Sequence, residues 1–228
     1  MSGQDSSVRN ESVRGTAFGE TWSPTLVDRF GVWLSARQIR RFVKTFQDLS
    51  VADIGCGFHA TFVRSILDEI RSAVLVDVSL SPALKACAKV QAIEGGVPDA
   101  LSAIAPGSQD LVMCISVLEH LWDPLGTLKE FRRIVAPGGI CLFNVPSWRG
   151  KQYLELSAFR LKLSPQEEMD DHKMYYDVRD LWPLLVRAGF LPHDIHCFPH
   201  KFGLNTFAAC TVPGPAAESR RTPAIIES

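Results

Sequence analysis

The chain lacks, first, any imbalance of charge: 24 lysines and arginines stand against 25 aspartates and glutamates in 228 residues. That removes the electrostatic reason to expect nucleic acid or an anionic membrane as a partner. It also lacks a C-x-x-C pair. Its six cysteines (56, 87, 114, 141, 197 and 210) are scattered, and Cys114, Cys141 and Cys210 sit in apolar runs where a thiol serves as a small hydrophobe. A disulfide scaffold is therefore not expected, and the pattern suits a reducing compartment. No stretch reaches the roughly 18 apolar residues of a membrane span. The opening MSGQDSSVRNESVRG is too polar for a secretory leader, and no internal repeat is visible. These absences point to a soluble, cytoplasmic protein.

What is present is apolar material for one core: 46% of the residues are hydrophobic, enough for a single domain. Residues 1–20 and 213–228 are expected to be disordered tails, and 21–46 an N-terminal helical lid. The lid helix is expected to start with Ser23 as N-cap and Pro24 at its first turn, to carry an apolar stripe from Leu26 to Val43, and to break at Gly31. Arg37, Arg40, Arg41 and Lys44 fall at helical spacing and are expected on a solvated face. Residues 47–212 alternate short apolar runs with helical patterns. Strands are expected at Leu49–Asp53, Ala73–Asp77, Val90–Glu94, Asp110–Ser116 and Ile140–Val145, and helices at Thr61–Ile70 and Asp123–Val135. Residues 147–176 break the rhythm as an insertion expected to hold one or two helices. A helix over DVRDLWPLLVRAGF follows, then two runs, LPHDIHCF and LNTFAACTV, joined by a turn too short for anything but an antiparallel pair. The fold class expected is α/β: a doubly wound, mostly parallel seven-stranded sheet with an antiparallel last strand.

The stretch VADIGCGFHATFV (51–63) ends an apolar run at an acid and then turns on two glycines. Gly55-x-Gly57-x-x-Ala60 satisfies the dinucleotide fingerprint, so a nicotinamide or flavin cofactor is one admissible ligand. Asp77 ends the next strand, 20 residues past Gly57, where a carboxylate suits ribose hydroxyls. Asp53 separates the alternatives. A pyrophosphate over this turn would meet a carboxylate of its own sign, whereas a ligand with an ammonium group would gain from it. S-adenosylmethionine has an ammonium, a ribose diol and no phosphate.

DIGCG, LVDVS, DLVMCISVLEHLWDP and LKEFRRIVAPGGICLFNVPS, in this order, resemble the class I S-adenosylmethionine-dependent methyltransferases over roughly residues 47–212. Within that family the resemblance is to ubiquinone-type and to bacterial polysaccharide- or natural-product-cluster enzymes. It implies that Asp53, Gly55, Cys56 and Gly57 hold the methionine end of the cofactor and that Asp77 and Val78 hold the ribose. Val97 lies where the family contacts adenine, and Ser116 at the edge beside the cofactor. Two departures stand out: His59 replaces a third glycine, and EGGVPDAL lacks the usual adenine acid, leaving Gly96, Val97 and, as a substitute, Asp99.

Methyl transfer rests mainly on holding acceptor and methyl together, and a hydroxyl acceptor gains further from a base. His172, in DDHKMYY, and His120, in SVLEHL, are the candidates, His172 ahead. His120 is expected at the start of a helix running from Leu121, where the positive dipole end disfavours its protonation. Glu119, Trp148, Tyr175 and Tyr176 are expected to line the substrate pocket, with Tyr153 and Phe159 in the same insertion. The family's E-x-x-E-H cation pattern reads here as Ser116-x-x-Glu119-His120, so no metal is expected, although Asp170 and Asp171 lie nearby in sequence. His193, His196 and His200 are expected to be structural, since His193 and His196 would face opposite sides of a strand. The expected activity is O-methylation of a hydroxyl on a small glycosyl or natural-product acceptor by a monomer or homodimer. The alternatives are a dinucleotide-dependent oxidoreductase and a module that binds S-adenosylmethionine without transferring methyl.

Overall fold

A computed structural model describes residues 16–21, 23, 25–156 and 173–214. Seven strands form one sheet in the order β3-β2-β1-β4-β5-β7-β6. They are β1 (Ser50–Ile54), β2 (Ser72–Asp77), β3 (Val90–Glu94), β4 (Gln109–Ile115), β5 (Val135–Pro146), β6 (Ile195–His200) and β7 (Asn205–Thr211). Strands β1 to β5 pair in parallel, and β7 runs antiparallel to both β5 and β6. The expected architecture is the one observed. The chain winds outward from β1 to β3 and then returns to β4, so the switch point lies at the carboxyl ends of β1 and β4, where open α/β sheets bind ligands.

Each face of the sheet buries its own apolar cluster. One gathers Ile54, Val112, Phe143, Ala208 and Tyr176 with α4 (Pro124–Ile134) and a later helix, α6 (Val178–Arg187). The other gathers Val51, Leu75, Met113, Leu142 and Phe207 with α1 (Leu26–Phe42) and α2 (Thr61–Arg64). Two smaller helices, α3 (Pro82–Lys85) and α5 (Trp148–Leu156), complete the described elements.

Several expected boundaries move, each for a local reason. Helix α1 begins after Thr25, whose hydroxyl accepts the Asp28 amide while the Asp28 carboxylate caps the Thr25 amide; this capping box, not Ser23, sets the start. The helix continues through Gly31, because a penalty of about 1 kcal/mol for one glycine does not break 17 residues packed on a sheet. Residues 61–70 are helical only to Arg64: Ser65 bonds back to the Phe62 carbonyl and the chain tightens into successive three-residue turns. Helix α4 starts at Pro124, since the Asp123 carboxylate accepts the Gly126 amide. Beyond it, β5 begins at Val135 and bulges through APGG before regaining register at Ile140.

Candidate active site

The carboxyl edge of the sheet collects the chemistry. At the end of β1, Gly55 and Gly57 both take left-handed backbone (φ +73° each). A side chain at Gly55 would collide with the Val117 Cγ2 methyl, and one at Gly57 would come 3.2 Å from the Phe18 carbonyl oxygen. The turn hangs from β2: the Gly55 amide donates to the Val76 carbonyl at 2.7 Å, and the Gly57 amide to Asp77 Oδ2 at 2.7 Å. The other Asp77 oxygen accepts the Val78 amide at 2.8 Å. Asp77 therefore shapes the glycine turn.

Asp53 is buried beside it. Burial first, and the charge of Asp77 second, raise its carboxyl to about 7. Two carboxylates in one dry corner repel an anionic phosphate and favour a cation. The same corner pushes the Cys56 thiol up, through burial and then Asp53 and Asp77, so that it stays protonated and unreactive.

Over this corner lies a short segment that the sequence assigned to the tail. Ala17 is buried, the Phe18 carbonyl accepts the Phe58 amide at 2.9 Å, and Glu20 accepts the Ser79 hydroxyl at 3.1 Å. His59 is exposed, with its ring against Phe58 and near Gly19. Val97 is half-buried and Asp99 exposed at the start of a 3₁₀ turn.

Ser116, just past β4, is a non-glycine residue at φ +61°, held by its amide on the Asn144 carbonyl at 2.7 Å. Such strain concentrates where a strand end presents a site. The next turn, Leu118–His120, is 3₁₀, so His120 stands outside any helix start and its expected dipole environment is absent. Glu119 is buried, and its carbonyl accepts the Lys173 and Met174 amides. Residues 173–177 are not helical. Tyr175 and Tyr176 are core residues. The Tyr176 phenol, pushed up to about 12 chiefly by burial and then by Glu119, finds no hydrogen-bond partner among the described residues. Trp148 packs on Tyr175 and donates its indole N–H to Asp180 at 3.1 Å. His172, Phe159, Asp170 and Asp171 lie outside the described residues, and among those described no three His, Cys, Asp or Glu side chains gather to hold a metal.

A family model described as a methyltransferase domain matches residues 28–193 of the sequence. The chain belongs to that methyltransferase family. The cofactor of this fold is S-adenosylmethionine, and the residues fit it: the paired acids suit its cationic end, and the glycine turn leaves room for its backbone contacts. The ubiquinone biosynthesis O-methyltransferase of Azotobacter vinelandii is 31% identical over 137 residues, covering 54% of this chain and 56% of that protein. The Pseudomonas fluorescens enzyme of the same description is 29% identical over 159 residues, covering 64% and 66%. The chain thus spans less than two thirds of the length of these relatives. In fold it is similar to an S-adenosylmethionine-dependent methyltransferase from Mesorhizobium loti (TM-score 0.58, 14% identity, 77% of this chain and 96% of that one). It is also similar to Haemonchus contortus phosphoethanolamine N-methyltransferase 2 in complex with S-adenosyl-L-methionine (TM-score 0.58, 18% identity, 79% and 53%).

A group of polar residues that sequence reasoning did not assemble sits between α1 and the ends of β5–β7. Strand register puts Asn144 opposite Ile115 and Phe207, and Phe207 opposite Phe198, so alternation places Asp53, Asn144 and His200 on one face. Helix α1 covers that face, with Phe42 stacked on Phe198 and Phe207. Its inward positions are Gly31, Leu34, Ser35, Gln38 and Ile39. His200 bonds the Leu34 main chain and is pushed down to about 4, chiefly by burial and then by Lys201. Lys201 is pushed down to about 8 by burial, opposed by Glu119. A side chain at Gly31 would stand 3.7 Å from the Lys201 Nζ.

Proposed function

We propose that this methyltransferase domain moves a methyl group from S-adenosylmethionine to a hydroxyl of a small molecule, of the glycosyl or natural-product class. The observation that carries the transfer is the buried, proton-hungry Asp53 beside a glycine turn anchored by Asp77. A dinucleotide would bring phosphate into that corner, and the family match speaks against it as well. Oxygen as the acceptor atom draws support from the relatives described as O-methyltransferases.

Bound at the glycine turn, S-adenosylmethionine supplies an electrophilic methyl on a sulfonium. Asp53 would hold the cationic methionine end, directly or through water, and Asp77 the ribose. Ser116 and the 3₁₀ turn after β4 would form the wall at which the acceptor oxygen is presented. Orientation is the main contribution, since aligned reactants reach effective molarities of ~10⁵ M or more. His172 is our choice to take the hydroxyl proton, ahead of His120. Support comes from Lys173, the next residue, whose amide is held 2.6 Å from the Glu119 carbonyl beyond β4. We also place the protein in the cytoplasm, in keeping with six free cysteines.

The full chain, incubated with methyl-tritiated S-adenosylmethionine and a panel of sugars and phenols, should release label into at least one hydroxylated acceptor. S-adenosylhomocysteine should bind in calorimetry while NAD and FAD do not. Tight S-adenosylhomocysteine binding with no transfer to any acceptor would reduce the protein to a cofactor-binding module.

A further inference from the structure

Four polar atoms beneath α1 have no hydrogen-bond partner among the described residues: Ser35 Oγ, Asn144 Nδ2, Asn144 Oδ1 and His200 Nε2. Asn144 is completely buried and Ser35 nearly so. Buried polar groups are almost always satisfied, and each one that is not destabilises the fold. Other such atoms, those of Ser81, Gln109 and Tyr176 among them, lie elsewhere, but these four belong to one face. Asn144 and His200 share the face that α1 covers, and Ser35 lies on the helix side turned toward it.

The charge that completes the group is Lys201. It follows β6 in a turn where Lys201, Phe202 and Gly203 take φ of +48°, +59° and +82° in succession. Two adjacent non-glycine residues in left-handed backbone are costly unless the surroundings enforce them. Ser147 does so, donating its hydroxyl to the Gly203 carbonyl at 2.7 Å and its amide to the Leu204 carbonyl at 3.0 Å. Gly150 packs so closely on Leu204 that a side chain there would collide with its carbonyl. The turn points Phe202 into solvent, 81% exposed, and brings the Lys201 ammonium inward beside Gly31. An exposed phenylalanine beside a half-buried lysine inverts the usual preference of both side chains.

The location relative to the cofactor is set by the sheet. Asp53 and Asn144 share a face, with β4 between their strands and Asn144 two residues further along, about 12 Å apart at the usual strand spacing and rise. That is the interval at which a second small molecule would meet one held at the glycine turn. We propose that Ser35, Asn144, His200 and Lys201 form the acceptor site, and that it takes a small hydroxylated molecule bearing a carboxylate. Lys201 holds the carboxylate. Asn144 offers a donor and an acceptor to the hydroxyls, and His200 offers its unpartnered Nε2. Helix α1 is then the lid of the acceptor as much as of the cofactor.

The inference rests on the methyl-transfer reading, and its test separates the two. S-adenosylhomocysteine affinity is measured first, in the full chain and in Lys201→Met and Asn144→Leu; it should be the same in all three. Dihydroxybenzoate and a hexuronate are then titrated into the loaded protein beside their neutral counterparts, catechol and a hexose. At least one carboxylate should bind, Lys201→Met should weaken it tenfold or more, and the neutral compounds should be indifferent to that change. Asn144→Leu should raise the melting temperature by removing two orphaned atoms while abolishing carboxylate binding. If S-adenosylhomocysteine fails to bind, the methyl-transfer reading fails. If it binds but neither carboxylate does, or Lys201→Met shows no carboxylate discrimination, the site assignment is wrong.

Discussion

Asp77 accepts the Gly57 amide at 2.7 Å across 20 residues of sequence, so the acid at the end of β2 and the turn at the end of β1 form one unit. Its second oxygen is taken by Val78. The carboxylate offers a ligand only its remaining lone pairs, in a direction already fixed by two backbone amides.

Asp77→Ala should therefore lose more than a ribose contact. Hydrogen bonds to a charged group contribute ~1.5–3 kcal/mol, and release of the Gly57 amide adds to the loss. S-adenosylhomocysteine affinity should fall well over tenfold by calorimetry. Asp77→Asn, which keeps one oxygen to accept an amide, should fall less. A Kd unchanged in both variants would remove Asp77 from the cofactor site.

Asp53 ties cofactor binding to pH. With its carboxyl near 7, a cationic ligand must find it ionised, so affinity should decline about tenfold per unit as pH falls below that point. Stability should move the other way. Between pH of about 4 and 7 the folded chain keeps a proton that the unfolded chain has released, so the Asp53 contribution to stability decreases as pH rises through that window and is flat above it. Asp53→Asn should be more stable than wild type at pH 8 and bind S-adenosylhomocysteine more weakly. Identical pH profiles for wild type and variant would contradict the assignment.

The segment before α1 gives a proteolysis test. Thr16–Glu20 rests on Phe58 and Ser79, which follow the glycine turn and Asp77. Limited digestion of the unloaded protein should cut in or before this segment, and added S-adenosylhomocysteine should slow that cut several-fold. Equal rates would make the segment ordinary packing.

For the base, His172→Ala should lower turnover on a true acceptor ~10²-fold or more while sparing S-adenosylhomocysteine affinity, and His120→Ala should do less harm. Near-normal turnover in His172→Ala would shift the role to another group or leave catalysis to proximity.

Much of this was legible because it lies in short stretches at strand ends. Asp53, the glycines and Asp77 announce themselves by position in two apolar runs, and α6 by its cap at Asp177 and its stop at Gly189. The misplaced helix starts at Ser23 and Leu121 were decided by a choice among neighbouring polar residues, which only the backbone path settles. The burial of Tyr175 and Tyr176 was not legible, because they lie on a non-helical segment, 173–177, whose pattern reads equally well as helix. Ser35, Asn144, His200 and Lys201 were out of reach for another reason. Each looks ordinary in its own segment; strand register joins Asn144 to His200 across 56 positions, and only the docking of α1 brings Ser35 to them.

Gly55 and Val117 are similarly remote in sequence and locked in space, since one Val117 methyl fills the place of a Gly55 side chain. Drift at position 55 is thus conditional on position 117. A lineage could not replace Gly55 by alanine while valine remains at 117, and even a smaller residue there would leave the left-handed backbone to be met. The constraint runs one way: with glycine at 55 a smaller residue at 117 meets no clash, so a library that varies the two positions singly will score 55 as immutable and 117 as tolerant of smaller side chains.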